Sequence, residues 1–295
     1  MAGGIDVNRF SKVVPAVLFM LACGGGDSAE RGVIQNKGSD TLVNVAQAWA
    51  EEYGAVNPTV AVAVSGGGSG TGISSLINGT VDIANSSRAM RQSEIDEAHE
   101  RGVEPMQHVV GFDALAIFLH PDNPISSMTR DQLASIYGEG GDFDTWSQLG
   151  VSVPGCSSDE IVRVSRQNNS GTYAYFQGAV LDDGEFRLGS RDMNGSSEVV
   201  DLVANTPCAI GYSGLAYATD HVAMPCVQIG DADCVLPSVA TALDGTYPIA
   251  RPLLMYTAGE PTGMVAEYMD WILGSVGQCI IVEKGYAPSS EVTCG

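Results

Sequence analysis

Four times along this chain a cluster of Gly, Ser and Thr stands where an apolar run hands over to a stretch with helical periodicity. The clusters are "GSDT" (38–41), "GGGSGTG" (66–72), "NSSR" (85–88) and "RQNNSGT" (166–172). This alternation constrains the fold more than any other feature. A strand followed by a helix and then another strand enters a parallel sheet under a right-handed crossover, which predicts an α/β protein. "GVIQNKG", "VAVAV" (60–64) and "VDIA" (81–84) read as the first strands. Leu42, Val45, Ala46, Trp49, Ala50 and Tyr53 share one helical face between the first two, and Ile73, Leu76 and Ile77 mark the next helix. Ser93 with Asp96 reads as the capping box of a third helix, ending near Arg101. From about Asp113 the pattern restarts with "ALAIFL", "TRDQLASIYG" and "EIVRVS". A helical face through Val199, Val200 and Val203, then "AIGY", "PLLMY" and a helix over Met264–Leu273 complete it. With no internal repeat, two α/β lobes are the expected organisation.

The clusters suggest a ligand. A helix start leaves backbone N–H groups unpaired and carries partial positive charge. Several such starts converging on one point make a cage for an oxyanion. Singly, each Ser or Thr is accounted for as a helix cap. Arg88 and Arg166 are more telling, since each adjoins a cluster in a chain with only 14 basic residues against 35 acidic ones. An Arg fork can hold two ligand oxygens, although a salt bridge to one of the many carboxylates is the competing role. The net charge of −21 excludes the basic surface that nucleic acid requires. "GGGSGTG" lacks the Lys of a P-loop and the third Gly of a dinucleotide fingerprint. Neither Ser69 nor Ser170 sits in a G-x-S-x-G frame, which leaves His99, His108, His120 and His221 as the candidate bases for any hydrolase.

The N-terminus reads as an export signal. Arg9 and Lys12 precede "VVPAVLFMLA", which is too short to span a bilayer and ends at Cys23. Residues 1–22 are thus expected to be a signal peptide and 23–31 a linker. "MLAC" resembles a lipobox, which implies lipidation at Cys23 and a periplasmic or cell-surface lipoprotein. Six further cysteines in an exported chain suggest three disulfides. Short loops favour Cys226–Cys234 and Cys279–Cys294, leaving Cys156–Cys208. No Cys or His spacing supports a metal site, and no cofactor is expected.

In order, "GSDT", "SGGGSGTGISSLINGTVDIANSSRAM", "RQNNSGTYAYF" and "YPIARPLLMYT" resemble the substrate-binding proteins of bacterial phosphate ABC transporters, over about residues 32–286. The resemblance implies a two-lobed periplasmic-binding-protein-like fold (type II). Each lobe would be a mainly parallel sheet flanked by helices, with two connecting strands as the hinge. The lobes would be 32–111 with 251–295, and 112–250. It implies a monomer that holds inorganic phosphate in the cleft, passes it to ABC permease subunits, meets the membrane only through its lipid anchor, and is not an enzyme. Position by position, it implies ligand roles for Thr41, Leu42 (through its N–H), Ser69, Ser87, Arg88, Arg166, Ser170, Gly171 and Thr172. Where the best-known branch has an Asp to accept the ligand's proton, this chain has Ser87, with Asp40 and Asp113 as the remaining carboxylates for that task. The alternatives are another oxyanion such as sulfate or molybdate, a surface phosphate sensor or adhesion module, and a phosphatase.

Overall fold

Burial alternates along β1 (Gly32–Gly38), turning Ile34 and Asn36 toward one face of a sheet. α1 (Val43–Val56) covers that face with Val45, Trp49 and Tyr53. The computed structural model describes residues 31–295. The predicted signal peptide, Cys23 and all but the last residue of the linker lie outside the described residues. β2 (Val60–Ser65) pairs in parallel with one side of β1, and α2 (Ser69–Ile77) leads to β3 (Ile83–Ser86), parallel to the other side. β3 begins two residues later than "VDIA", because Asp82 meets Gln35 through its backbone N–H and its carboxylate instead of by ladder pairing. α3 (Gln92–Glu100) follows. Its first turn is closed by the Glu94 carboxylate, which accepts from the Arg91 N–H, rather than by Ser93 and Asp96.

β4 (Pro105–Leu119) then passes from one half to the other, and the apolar run "ALAIFL" marks only its last six of 15 residues. The second half contains β5 (Ser127–Thr129), α4 (Arg130–Tyr137), β6 (Val162–Arg166), α5 (Gly171–Leu181), β7 (Arg191–Met193), α6 (Ser196–Ala204), β8 (Ala209–Gly214), β9 (Cys226–Gln228) and α7 (Val239–Leu243). The chain returns on β10 (Ala250–Ala258) and closes with α8 (Gly263–Leu273), α9 (Ser275–Glu283) and β11 (Ala287–Pro288). The main sheet has the order β2-β1-β3-β10-β4-β8-β6-β7, with β11 beside β4 and a separate β5-β9 pair. β1, β2 and β3 are mutually parallel, as are β6, β7 and β8, while β4 and β10 are antiparallel to their neighbours. β4 pairs with β10 from Pro105 to Ala114, then with β8 from Leu115 to Leu119. Two parallel α/β halves are therefore joined by two crossing strands.

Each half has its own core. Trp49, Tyr53, Tyr268 and Ile281 pack under β1 and β3, and Trp49 Nε1 donates to the Gly277 carbonyl at 2.8 Å. Trp146, Tyr137, Phe176 and Tyr212 pack under β8 and β6. The bonds Cys156–Cys208, Cys226–Cys234 and Cys279–Cys294 are formed. Cys156–Cys208 closes the longest loop, with a sequence separation of 52, and therefore restricts the unfolded chain most. Replacing Cys156 and Cys208 together by Ser is expected to lower stability by about 2–4 kcal/mol, read from urea unfolding under non-reducing conditions.

Candidate functional site

Three of the four clusters meet where the strands of the first half end. Gly68, at φ 89° just before α2, donates its N–H to the Gly38 carbonyl, which draws the Gly-rich turn over the end of β1. Ser69, the first residue of α2, accepts the Ser87 N–H at 3.1 Å, and its hydroxyl lies 3.5 Å from that of Ser87. Ser39 Oγ donates to Ser87 Oγ at 3.0 Å. Ser39, Thr41, Ser69, Ser86 and Ser87 are all buried. Burying so many small polar side chains requires hydroxyl partners, and a hydroxyl can turn its proton to suit a ligand.

The fourth cluster arrives from the second half. β6 ends at Arg166, and Ser170 caps α5 by accepting the Thr172 N–H at 3.1 Å. Thr172 Oγ1 lies 3.1 Å from Thr41 Oγ1. A β-carbon placed on Gly171 would overlap the hydroxyls of both Ser69 and Ser87. The helix start can approach this closely only because Gly171 has no side chain. The Gly70 N–H donates to the Asn169 carbonyl, and Asn169 Nδ2 to the Gly67 carbonyl, both at 3.0 Å. Arg166 is 1% exposed and donates to Ser196 Oγ, to the Asn194 and Met193 carbonyls, and to Asp40 Oδ2 at 3.1 Å. Burial pulls its guanidinium below the ordinary value and Asp40 opposes that, the balance remaining downward. Beside this ion pair opens a recess of about 270 Å³ lined in part by Asp40, Asn44, Ser196 and Tyr217. A larger recess, about 570 Å³, lies between α1 and α9 and carries none of the cluster residues.

Two of the expected ligand groups are engaged elsewhere. Arg88 points its fork at Glu94, with Nη1–Oε2 and Nη2–Oε1 both 2.7 Å, so the competing salt-bridge role describes it. The Leu42 N–H donates to the Ser39 carbonyl, and its side chain lies in the core. Burial raises the Glu94 carboxyl, but the Arg88 fork and the Arg91 N–H outweigh it and hold it below the usual range. None of the four histidines joins the cluster. His99 pairs with Glu104, His108 with Thr257 and His120 with Asp122, and His221 lies exposed in a loop.

The structure also adds groups that motif reading missed. Arg251 and Asp113 form a fully buried pair beside Thr41, and burial raises the Asp113 carboxyl against the pull of Arg251. Tyr217 donates to the Asp40 carbonyl at 2.6 Å, and Tyr286 to the Thr41 carbonyl. Burial pushes the Tyr217 phenol up to about 12, so it remains a neutral donor at physiological pH. Of the two reserve carboxylates, Asp40 has both oxygens occupied, by the Gly67 N–H and by Arg166. Asp113 gives Oδ2 to Arg251, while Oδ1 is buried without a hydrogen-bond partner. A lone "R" in "YPIARP" or "D" in "GFDAL" is no signal by itself; only the register of β4 and β10 pairs them.

Helix starts gathered at the carboxyl ends of two parallel half-sheets, on either side of two crossing strands, define a ligand-binding clamp. The sequence model described as a PBP superfamily domain matches residues 25–276. The phosphate-binding protein PstS of Pseudomonas aeruginosa is 34% identical over 88% of this chain and 84% of its own length. The PstS of Bacillus subtilis is 30% identical over 90% and 84%. A putative phosphate ABC transporter substrate-binding protein from Clostridium perfringens, solved with bound phosphate, superposes with a TM-score of 0.76 at 25% identity, covering 88% of this chain and all of that one. The chain belongs to the PBP superfamily and, within it, to the family of proteins named phosphate-binding protein PstS.

Two outcomes follow from this geometry. Gly171→Ala is expected to hold the α5 start away from Ser69 and Ser87, weakening anion binding at least tenfold in calorimetry while each half keeps its fold. Glu94 has a folded pKa below its unfolded value, so its stabilisation is complete above about pH 4.5 and is lost as pH falls through the folded value. Urea unfolding of Glu94→Gln should therefore show a shallower loss of stability than the parent on acidification below that pH.

Proposed function

We propose that the protein binds inorganic phosphate in the cleft between two lobes, residues 32–111 with 251–295 and residues 112–250, and delivers it to an ABC-type membrane permease. The observation that carries this reading is the contact of Gly171, at a helix start of one half, with Ser69 and Ser87 of the other. The name of the Pseudomonas aeruginosa relative and the phosphate held by the Clostridium perfringens protein support the same ligand. Thr41, Ser69, Ser87, Ser170 and Thr172 supply hydroxyls, Gly171 and the α5 start supply backbone N–H groups, and Arg166 supplies charge. Arg88 serves as a brace for the Ser86–Ser87 turn and not as a ligand, and Leu42 enters only if its N–H exchanges the Ser39 carbonyl for the anion.

In mechanism, the anion first meets donors of one half while the cleft is open. Closure about β4 and β10 brings the donors of the other half and removes water from both. Hydroxyls that pair with one another in the closed cleft rotate to donate to the anion instead. A protonated phosphate oxygen in turn gives its hydrogen to whichever hydroxyl accepts. No bond in the ligand is made or broken, so the protein is a carrier and not an enzyme. The leader and Cys23 support an exported, lipid-anchored protein, and the family resemblance supports a monomer.

Calorimetry and thermal shift against phosphate, arsenate, sulfate and molybdate test the reading. Phosphate is expected to raise the melting temperature, as any ligand of the native state alone does. A larger shift with sulfate or molybdate would transfer the assignment to that oxyanion. Arg166→Ala should weaken phosphate roughly 10- to 200-fold, the equivalent of about 1.5–3 kcal/mol for a charge-assisted bond. Arg88→Lys should change it by no more than about threefold.

A further inference from the structure

Two buried arginines bear on the cluster, and the ligand set above uses only Arg166. Arg251, on β10, stands directly across the ladder from Asp113 on β4, one residue before β4's pairing with β10 ends at Ala114. Both side chains are fully buried. Arg251 Nε and Nη2 donate to Asp113 Oδ2 at 3.1 and 2.8 Å. The rest of the fork reaches into the cluster. Nη2 donates to Thr41 Oγ1 at 3.3 Å, and Nη1 to the Ser87 carbonyl at 3.4 Å. One guanidinium therefore touches both crossing strands and two clusters of the first half. Through the Thr41–Thr172 hydroxyl contact it also reaches the start of α5 in the second.

The direction of these bonds matters more than their number. A hydroxyl has one proton and two lone pairs, and a cationic donor on one lone pair turns the proton away from itself. Arg251 thus occupies one acceptor site of Thr41 and leaves its proton available toward Thr172 and the cleft. A carbonyl oxygen facing an anion repels it, and Arg251 ties the Ser87 carbonyl back, leaving the Ser87 hydroxyl and N–H toward Ser69. We propose that Arg251, clamped by Asp113, is the positioning residue of the anion site: it orients Thr41 as a donor and fixes the Ser87 turn. Because the clamp lies on the crossing strands, their movement and the shape of the site change together. The inference rests on the phosphate reading above. The charge of Arg251 also depresses the Arg166 guanidinium, after the larger effects of burial and Asp40, which indicates that the two cations act on a common space.

Phosphate calorimetry and thermal unfolding of three purified proteins test this: the parent, Arg251→Lys, and Arg251→Met combined with Asp113→Leu. The double variant replaces a buried ion pair by apolar side chains, an exchange that often preserves stability. Arg251→Lys keeps the charge and can reach Asp113, but it lacks the fork that serves Thr41 and Ser87 at once. The expected result is a phosphate Kd at least tenfold weaker in both variants, with melting temperatures in the absence of phosphate within a few degrees of the parent. Binding within about twofold of the parent in either folded variant would overturn the proposal and leave the phosphate reading intact. If the double variant does not fold, Arg251→Lys decides alone. A parent that fails to take phosphate overturns that reading and this inference with it, and the parent titration separates the two failures.

Discussion

An acidic chain that is to hold a small anion must bury positive charge, and each buried charge requires a counter-charge in place before any ligand arrives. Two ion pairs meet that requirement: Arg166 with Asp40, and Arg251 with Asp113. Isolated guanidinium groups in the interior would cost several kcal/mol each, so the donors left over from each pair are also occupied, by Ser196, Thr41 and backbone carbonyls. Because the partners of each pair lie more than a hundred residues apart in sequence, the site exists only in the assembled sheet. The rest of the architecture serves this arrangement: the long crossing strands, the turns that bring helix starts together, and the tyrosines behind Asp40 and Thr41.

The two pairs have different mechanical roles. Arg251 and Asp113 face each other across one ladder, so opening the cleft need not separate them. Arg166 and Asp40 come from opposite halves, so their bond joins one half to the other. The Arg166 fork is thus part of the contact between the halves, with its donors held by Asp40, Ser196 and backbone carbonyls. Tyr217 adds a second bond of that kind, from the turn after β8 to the Asp40 carbonyl.

The local pattern was legible where side-chain periodicity and burial coincide. β1, β2, α1, α4 and α8 lie where their apolar spacing placed them, because each turns its apolar residues into a core cluster. It failed where burial is uneven. The first part of β4, with Gln107 and His108 between Pro105 and Val109, has no apolar run, yet it is a strand because β10 supplies its hydrogen bonds. α9 was not anticipated at all; its Gly277 and Gln278 are buried by α1 and the end of α8, which only packing supplies. Spacing in the sequence pairs Ser93 with Asp96 as a capping box. The helix starts earlier, and Glu94 then closes its first turn and takes up the Arg88 fork as well.

By itself the sequence determined the alternation of strand and helix and the small polar residues at each handover, and it favoured the two short-loop cysteine pairs, because each depends on residue type and short spacing. It also determined that Arg166 adjoins a cluster. Which of two equivalent-looking arginines pairs within its own segment, and which pairs between the two halves, was decided by tertiary structure alone. Arg88 has a carboxylate six residues along its own chain, whereas Arg166 finds Asp40 in the other half. The same holds for Arg251 and Asp113, which become neighbours only through the antiparallel register of β4 and β10. Long-range register has no local signature in residue order, so the pair at the centre of the molecule was the part that sequence could not show.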